Sequence, residues 1–206
     1  MSLLDRSIDD FLTACSSPNP TPGGGSASAL ASAVGASLLM MVAGLAKTRS
    51  GTDADRAALD TAAASLTDIR ARLAGAVDAD ASAYDEVVAA YRLPKATSED
   101  KSRRTAAVAA AMRVAIDVPL EVMRLSVLAL EAAHAVAAHG HRGASSDVGV
   151  AIALLQCGAR GARLNADLNL AAVKDETYKS GAAGEVDRLA HAASELADAA
   201  ETALAQ

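Results

Sequence analysis

Aromatic side chains are nearly missing from this chain: no Trp, one Phe and three Tyr among 206 residues. Hydrophobic residues still make up 51%, so any core must be built from small aliphatic groups. Such groups let helices approach closely, and the alanine that recurs throughout is the best helix former. Alternating β-branched runs are missing, and the five prolines fall at a few places, which argues against a sheet. Cysteine is scarce. Cys15 and Cys157 are too few for a disulfide framework, and their apolar helical surroundings predict two buried thiols in a reducing compartment. An excess of positive charge is lacking as well. The net charge of −6, with no aromatics interleaved among the basic residues, argues against a nucleic-acid partner. Four charges of mixed sign in Met1–Phe11 exclude a secretory leader there and fit a cytoplasmic protein.

The length suits one domain, 1–206, large enough to bury a core. The prediction is an all-α bundle of about five to seven helices with long central helices. A first helix is expected over Ser7–Cys15, its apolar stripe being Ile8, Phe11, Leu12 and Cys15, with Ser7 and Asp10 as a capping box. "SSPNPTPGGG" breaks the chain, and a helix follows from about Ser26 to Lys47. Thr21–Ala46 is uncharged and long enough for a bilayer, but its first third is Pro, Gly, Ser and Ala. A buried central helix explains it better than a membrane span. Ala29, Ala33 and Ser37 would allow close contact with a neighbouring helix or a second subunit. That uncharged surface predicts a homodimer built on the same helix.

A long helix is expected from Asp53 to Tyr91, where "RLPKATSED" ends it. Leu59, Leu66, Leu73 and Val87 share one seven-residue repeat, with Ile69, Val77, Tyr84 and Tyr91 beside it. The next helix starts near Thr97, capped with Asp100, and runs towards His139. Pro119 is expected to kink or break it. "HGHRGAS" is a loop, Ser146–Leu170 a helix, "KDETYKSG" a connection. Leu189, Leu196 and Ala203 mark the buried face of a last helix.

Asp80 fills the remaining slot of the Leu59–Leu66–Leu73–Val87 repeat and should point inward. A buried carboxylate is paired, protonated or functional, so Asp80 is a catalytic acid/base, the ion-pair partner of an arginine on another helix, or a residue exposed by rotation of the stripe. Asp147 opens a helix, where a carboxylate also simply favours the dipole. Asn165 and Asn169 are four apart on one face, in line with Val150, Leu154, Gly158 and Gly161, and two amides there need partners. Asp147 and Asn165 share a face but would lie about 27 Å apart along the axis. They meet in one site only if a second subunit runs antiparallel. The histidines give no clean metal-ligand spacing, and no metal is expected. "PGGGSAS" lacks the lysine of a phosphate loop. The glycine triplet ahead of a helix N-terminus remains a cradle for a polar ligand.

These pieces combine into a specific pattern. "PTPGGGSASALASAVGASLLMMVAGL" (Pro20–Leu45) resembles the signature of the formiminotransferase-cyclodeaminase C-terminal domain family. "DADASAYDEVVAAYRLPKAT" (Asp78–Thr97), "AIDVPLEV" (Ala115–Val122), "SSDVGVAIALL" and "ARLNADLNLAAVKDETY" resemble its later blocks in order, from Ile8 to Tyr178 at least. The resemblance implies a dimeric all-α bundle acting on the one-carbon bridge of tetrahydrofolate, with no further cofactor. It implies a methenyltetrahydrofolate cyclohydrolase making the 10-formyl compound. The alternatives are a formimidoyltetrahydrofolate cyclodeaminase that releases ammonia, and a non-catalytic dimer that binds a folate or a protein. It also implies Asp80 and Asp147 as the acids. Pro22, Gly23, Gly24, Gly25, Ser26, Lys47, Tyr84, His141, Asn165 and Asn169 are then substrate-binding, with the glycine triplet outside the helices. Gly44 and His141 depart from the asparagines many members carry there.

Overall fold

The computed structural model describes residues 2–206. Among these are six α-helices: α1 (Ile8–Ser16), α2 (Gly24–Ala43), α3 (Asp53–Arg92), α4 (Ser98–His139), α5 (Ser145–Leu170) and α6 (Glu176–Ala205). Short 3-10 turns occupy Leu3–Asp5 and Arg142–Ala144. The helix starts follow local chemistry. Thr52 Oγ1 accepts from Asp55 N, and Thr97 forms a reciprocal capping box with Asp100. Ser7 accepts from Asp10 N, but its hydroxyl donates to the Asp10 carboxylate, so the box closes differently from the expected reciprocal form.

The core takes residues from α1 through α6, mostly Ala, Leu, Ile and Val. Its centre is the crossing of α2 and α5, which run antiparallel. A Cβ on Gly158 would lie 1.9 Å from Ser32 Oγ and 2.7 Å from the Ser28 carbonyl oxygen. One on Gly161 would lie 2.2 Å from Ser28 Oγ, and one on Gly35 would lie 2.9 Å from the Ala151 carbonyl oxygen. Only glycine permits these approaches. The hydroxyls in this seam are satisfied: Ser28 donates to Gly24 O, Ser32 to Ser126 Oγ, and Ser126 to Val122 O.

Several expectations need correction. The buried helix begins at Gly24, not Ser26, and ends at Ala43, not Lys47. Thus Gly24 and Gly25 form its first turn, because Gly23 takes the N-cap. Both cysteines are exposed. Cys15 lies on α1, where only Phe11 turns inward while Ile8 (82%) and Leu12 (61%) face water. The stripe of α3 stays buried through Leu59, Leu66, Leu73 and Val77. Past Asp80, α3 outruns α2 and loses its cover, so Tyr84 and Tyr91 are exposed. Val150, placed on the buried line of α5, is exposed too. The connection before α6 is shorter than "KDETYKSG", since Asp175 already caps α6.

Pro119 does not end α4, which runs through it to His139. A proline cannot donate to the carbonyl four residues earlier, here Ala115. Asn169 of α5 fills that role: its Nδ2 donates to Ala115 O at 2.7 Å. Removing the amide should strand this carbonyl and cost ~1–3 kcal/mol. In a Pro119→Ala background the restored N–H can serve Ala115, so Asn169→Ala should there cost less than about 1 kcal/mol. Equal losses of stability in the two backgrounds, measured by denaturant unfolding, would show that the amide is not replacing the missing donor.

Candidate functional site

The first turn of a helix has N–H groups with no partner in the helix itself. In α2 the N-cap is Gly23, which has no side chain to offer. Asp80 of α3 supplies the acceptor instead. Its Oδ2 accepts from Ser26 N at 2.8 Å and lies 3.0 Å from Ser26 Oγ, which also donates to Val77 O at 2.9 Å. Asp80 is half-buried and has no arginine or lysine partner among the described residues, so the alternative of a core ion pair is not realised. It is held by the positive end of a helix. Only Oδ2 is tied down. Oδ1 has no hydrogen-bond partner among the described residues and lies where a side chain of Gly25 would go: a Cβ there would be 1.9 Å away. The missing side chain makes room for the carboxylate itself, and Oδ1 keeps lone pairs that no described residue uses.

Asn165 stands across from this turn. Its Nδ2 donates to Gly161 O at 2.9 Å and would lie 3.6 Å from a Cβ on Gly24. Pro22 is buried and lines, with Thr21, Ala81, Ser82 and Asp85, a cavity of about 500 Å³ beside the same turn. Tyr84 is exposed one turn further along α3. Pro22, Gly23, Gly24, Gly25, Ser26, Asp80 and Asn165 therefore form one cluster at the α2 N-terminus. Asn169 lies a turn beyond Asn165 but points to Ala115, a supporting position.

The remaining predicted residues lie at the other end of α2. Lys47 and His141 line a common cavity, and Asp147 sits half-buried in the first turn of α5. A helix of 20 residues separates the two groups by about 30 Å, so one chain does not bring Asp80 and Asp147 together. Sequence reasoning missed the pair anchoring this second end. His139 Nδ1 lies 2.9 Å from Asp55 Oδ1, while Ser50 N (2.7 Å) and Thr48 Oγ1 (3.1 Å) donate to Oδ2. First His139 and then Ser50 N–H hold the Asp55 carboxyl down at about 2. A depressed acid stabilises the fold above its ordinary value of 3.8 and loses that contribution as pH falls through the folded value. Asp55 was not singled out in the sequence, where it is one of two acids in the first turn of α3.

The largest cavity described, about 750 Å³, lies between α5 and α6 beside Cys157, Arg160 and Arg163. It contains none of the predicted site residues. Among the described residues no three His, Cys, Asp or Glu side chains are placed to hold a metal ion.

The two glycines of the α2 first turn should respond oppositely to a methyl group. Gly25→Ala must displace Asp80 and should destabilise the fold by ~1–3 kcal/mol. Gly24→Ala has ordinary contact distance and should be neutral or stabilising by up to about 1 kcal/mol. Thermal unfolding of both variants decides; equal effects would mean that Asp80 is not held against Gly25.

Residues 7–188 match the family model described as Formiminotransferase-cyclodeaminase. The chain is 35% identical over 174 residues to a Methenyltetrahydrofolate cyclohydrolase of Methylorubrum extorquens, covering 84% of each chain. It is 34% identical to a Formimidoyltransferase-cyclodeaminase of Sus scrofa over 87% of this chain, but spans only 33% of that longer protein. Its fold matches a crystal structure of a formiminotetrahydrofolate cyclodeaminase from Thermotoga maritima with a TM-score of 0.87, at 20% identity, over 99% of this chain and 98% of that one. With the glycine turn, Asp80 and Asn165 in place along the matched segment, the chain belongs to the formiminotransferase-cyclodeaminase family.

Proposed function

We propose that the protein hydrolyses 5,10-methenyltetrahydrofolate to 10-formyltetrahydrofolate. The observation that carries this reading is Asp80, anchored through one oxygen by the α2 N-terminus, with the other left free beside Gly25. The methenyl bridge is an amidinium carbon between N5 and N10. A carboxylate facing it favours the cation and can take a proton from the attacking water. Water adds to the bridge carbon, and its proton passes to Asp80. The C–N5 bond then breaks, N5 taking the proton back, and the formyl group stays on N10 with net release of one proton. Gly24 and Gly25 let the pterin approach the backbone, with Asn165 as a hydrogen-bonding partner for its edge. The Methylorubrum relative, 35% identical over 84% of each chain, favours this reaction. Release of ammonia from the 5-formimino compound would use the same carboxylate, and relatives named for that activity keep it as the second reading.

The protein works as a homodimer on this reading, in the cytoplasm, where two exposed free thiols can persist, and without a nucleic acid or a membrane. Among the described residues, α2 alone is long and apolar enough to cross a bilayer, with 56% of its most apolar window buried. Val34 and Met41 on α2 and Val150, Leu164 and Leu168 on α5 are left facing outward. A second copy covering them antiparallel would bring Asp80 and Asn165 of one chain towards Lys47, His141 and Asp147 of the other. Light scattering at micromolar concentration should give twice the chain mass of 20.7 kDa; a monomer mass would remove the composite site.

Asp80→Asn tests the chemistry. The amide can still accept from Ser26 N, so the fold should lose no more than a cap-sized ~0.5–2 kcal/mol. It cannot take a proton, so turnover of 5,10-methenyltetrahydrofolate, followed by its absorbance against a buffer blank, should fall by ~10²–10⁴-fold. A folded variant that keeps full activity would remove Asp80 from the catalytic role. Parent protein that accelerates neither folate reaction would leave only the binding function.

A further inference from the structure

The segment after α2 and the turn before α5 enclose a cavity of about 470 Å³, lined chiefly by Lys47, Thr48, Arg49, Gly51, His141 and Arg142. In a chain of net charge −6, this lining contains three cations and no acid. The negative helix ends nearby already have partners. Arg56 donates to the carbonyls of Ala43 and Leu45 at 2.9 and 2.5 Å, and Arg49 N donates to His139 O at 2.8 Å. The carboxylate of Asp55 is taken by Thr48, Ser50 and His139.

The cavity's own donors are left over. Lys47 has no ion pair or side-chain hydrogen bond among the described residues. Arg142 reaches only the Gln206 carbonyl, at 3.4 Å. Arg49 adds its charge to the lining, while its Nε, shielded from water and without a partner, does not open on the cavity. His141 has its tautomer set: Nδ1 accepts from Gly143 N at 3.1 Å, so a neutral ring carries its proton on Nε2 as a donor. Gly143 is needed for this contact, because a Cβ there would lie 2.7 Å from His141 Cε1.

We propose that this cavity is an anion site that binds the carboxylates at the glutamate end of the folate substrate. Guanidinium and ammonium groups around a small cavity suit two carboxylates. That the occupant is a folate rests on the function proposed above; that the cavity takes an anion does not. The site lies about 30 Å from Asp80 of the same chain, on the far end of α2. It would therefore hold the tail of a substrate whose pterin sits against Asp80 of the partner copy.

The test has a binding arm and a kinetic arm. γ-Glutamylglutamate, which carries no pterin, is titrated into the parent while the His141 ring protons are followed by NMR. Saturable shifts are expected, and Lys47→Gln/Arg142→Gln should weaken the binding by about tenfold or more. In the same variant, kcat/KM for the methenyl folate relative to the methenyl compound lacking glutamate should fall by about tenfold. Absence of saturable shifts in the parent, or an unchanged discrimination ratio in a double variant with the parent's melting temperature, would overturn the proposal. Tighter binding of inorganic phosphate than of the dipeptide, with unchanged discrimination, would assign the cavity to free phosphate and likewise overturn it. If neither folate is turned over while the dipeptide still binds at His141, the function proposed above fails and the anion site stands.

Discussion

The antiparallel contact of α2 with α5 is the constraint on which the rest depends. Gly158 and Gly161 meet Ser32 and Ser28 so closely that a methyl group on either would overlap the facing hydroxyl. Packing this tight leaves no space for large side chains, in keeping with the near-absence of aromatics. It also brings polar hydroxyls into the core, where they must be paired. They are, through the Ser28–Gly24 and Ser32–Ser126–Val122 contacts. The crossing sets both ends of α2 at once: its N-terminus against Asn165, and the segment after its C-terminus against the turn that opens α5.

Asp80 follows from that placement. Because α2 begins with glycines, its first N–H groups have no local side-chain acceptor, and α3 must supply one. The same lack of a side chain at Gly25 gives the Asp80 carboxylate its place. One short stretch of small residues thus creates both the demand for a carboxylate and the space that it occupies. A serine or aspartate N-cap at Gly23 would satisfy Ser26 N locally and would remove the reason for Asp80 to sit there.

Much of the fold was readable from local pattern. The apolar repeat of α3 and the Thr97–Asp100 cap needed nothing from elsewhere in the chain. The inward turn of Asp80 followed from its place in the Leu59–Leu66–Leu73 repeat. The misreadings share a cause, since each depended on a neighbour distant in sequence. Pro119 reads as a break unless Asn169, fifty residues later, is known to serve Ala115. Ile8, Leu12, Tyr84 and Tyr91 have helical spacing but no helix of this chain over them. Cys15 and Cys157 look buried by the same logic and are exposed. Periodicity identifies an apolar face but not what covers it. The Asp55–His139 pair was unreadable because its partners, at the start of α3 and the end of α4, lie 84 residues apart in sequence.

The charge at the two ends of α2 is opposite in sense. At the N-terminus the Asp80 carboxylate packs against Gly25 with one oxygen unpaired among the described residues; beyond the C-terminus Lys47, Arg49 and Arg142 line a cavity without acids. A methenyl folate has the complementary polarity, a cationic bridge at one end and carboxylates at the other. Within one chain the two ends are about 30 Å apart, farther than a single tetrahydrofolate reaches. Antiparallel pairing of two chains removes that distance, since each N-terminal end then meets the other chain's C-terminal end. The outward apolar residues of α2 and α5 supply the surface such pairing needs. On this geometry, the tight seam that excludes large side chains inside the protomer also fixes which charges face each other between protomers.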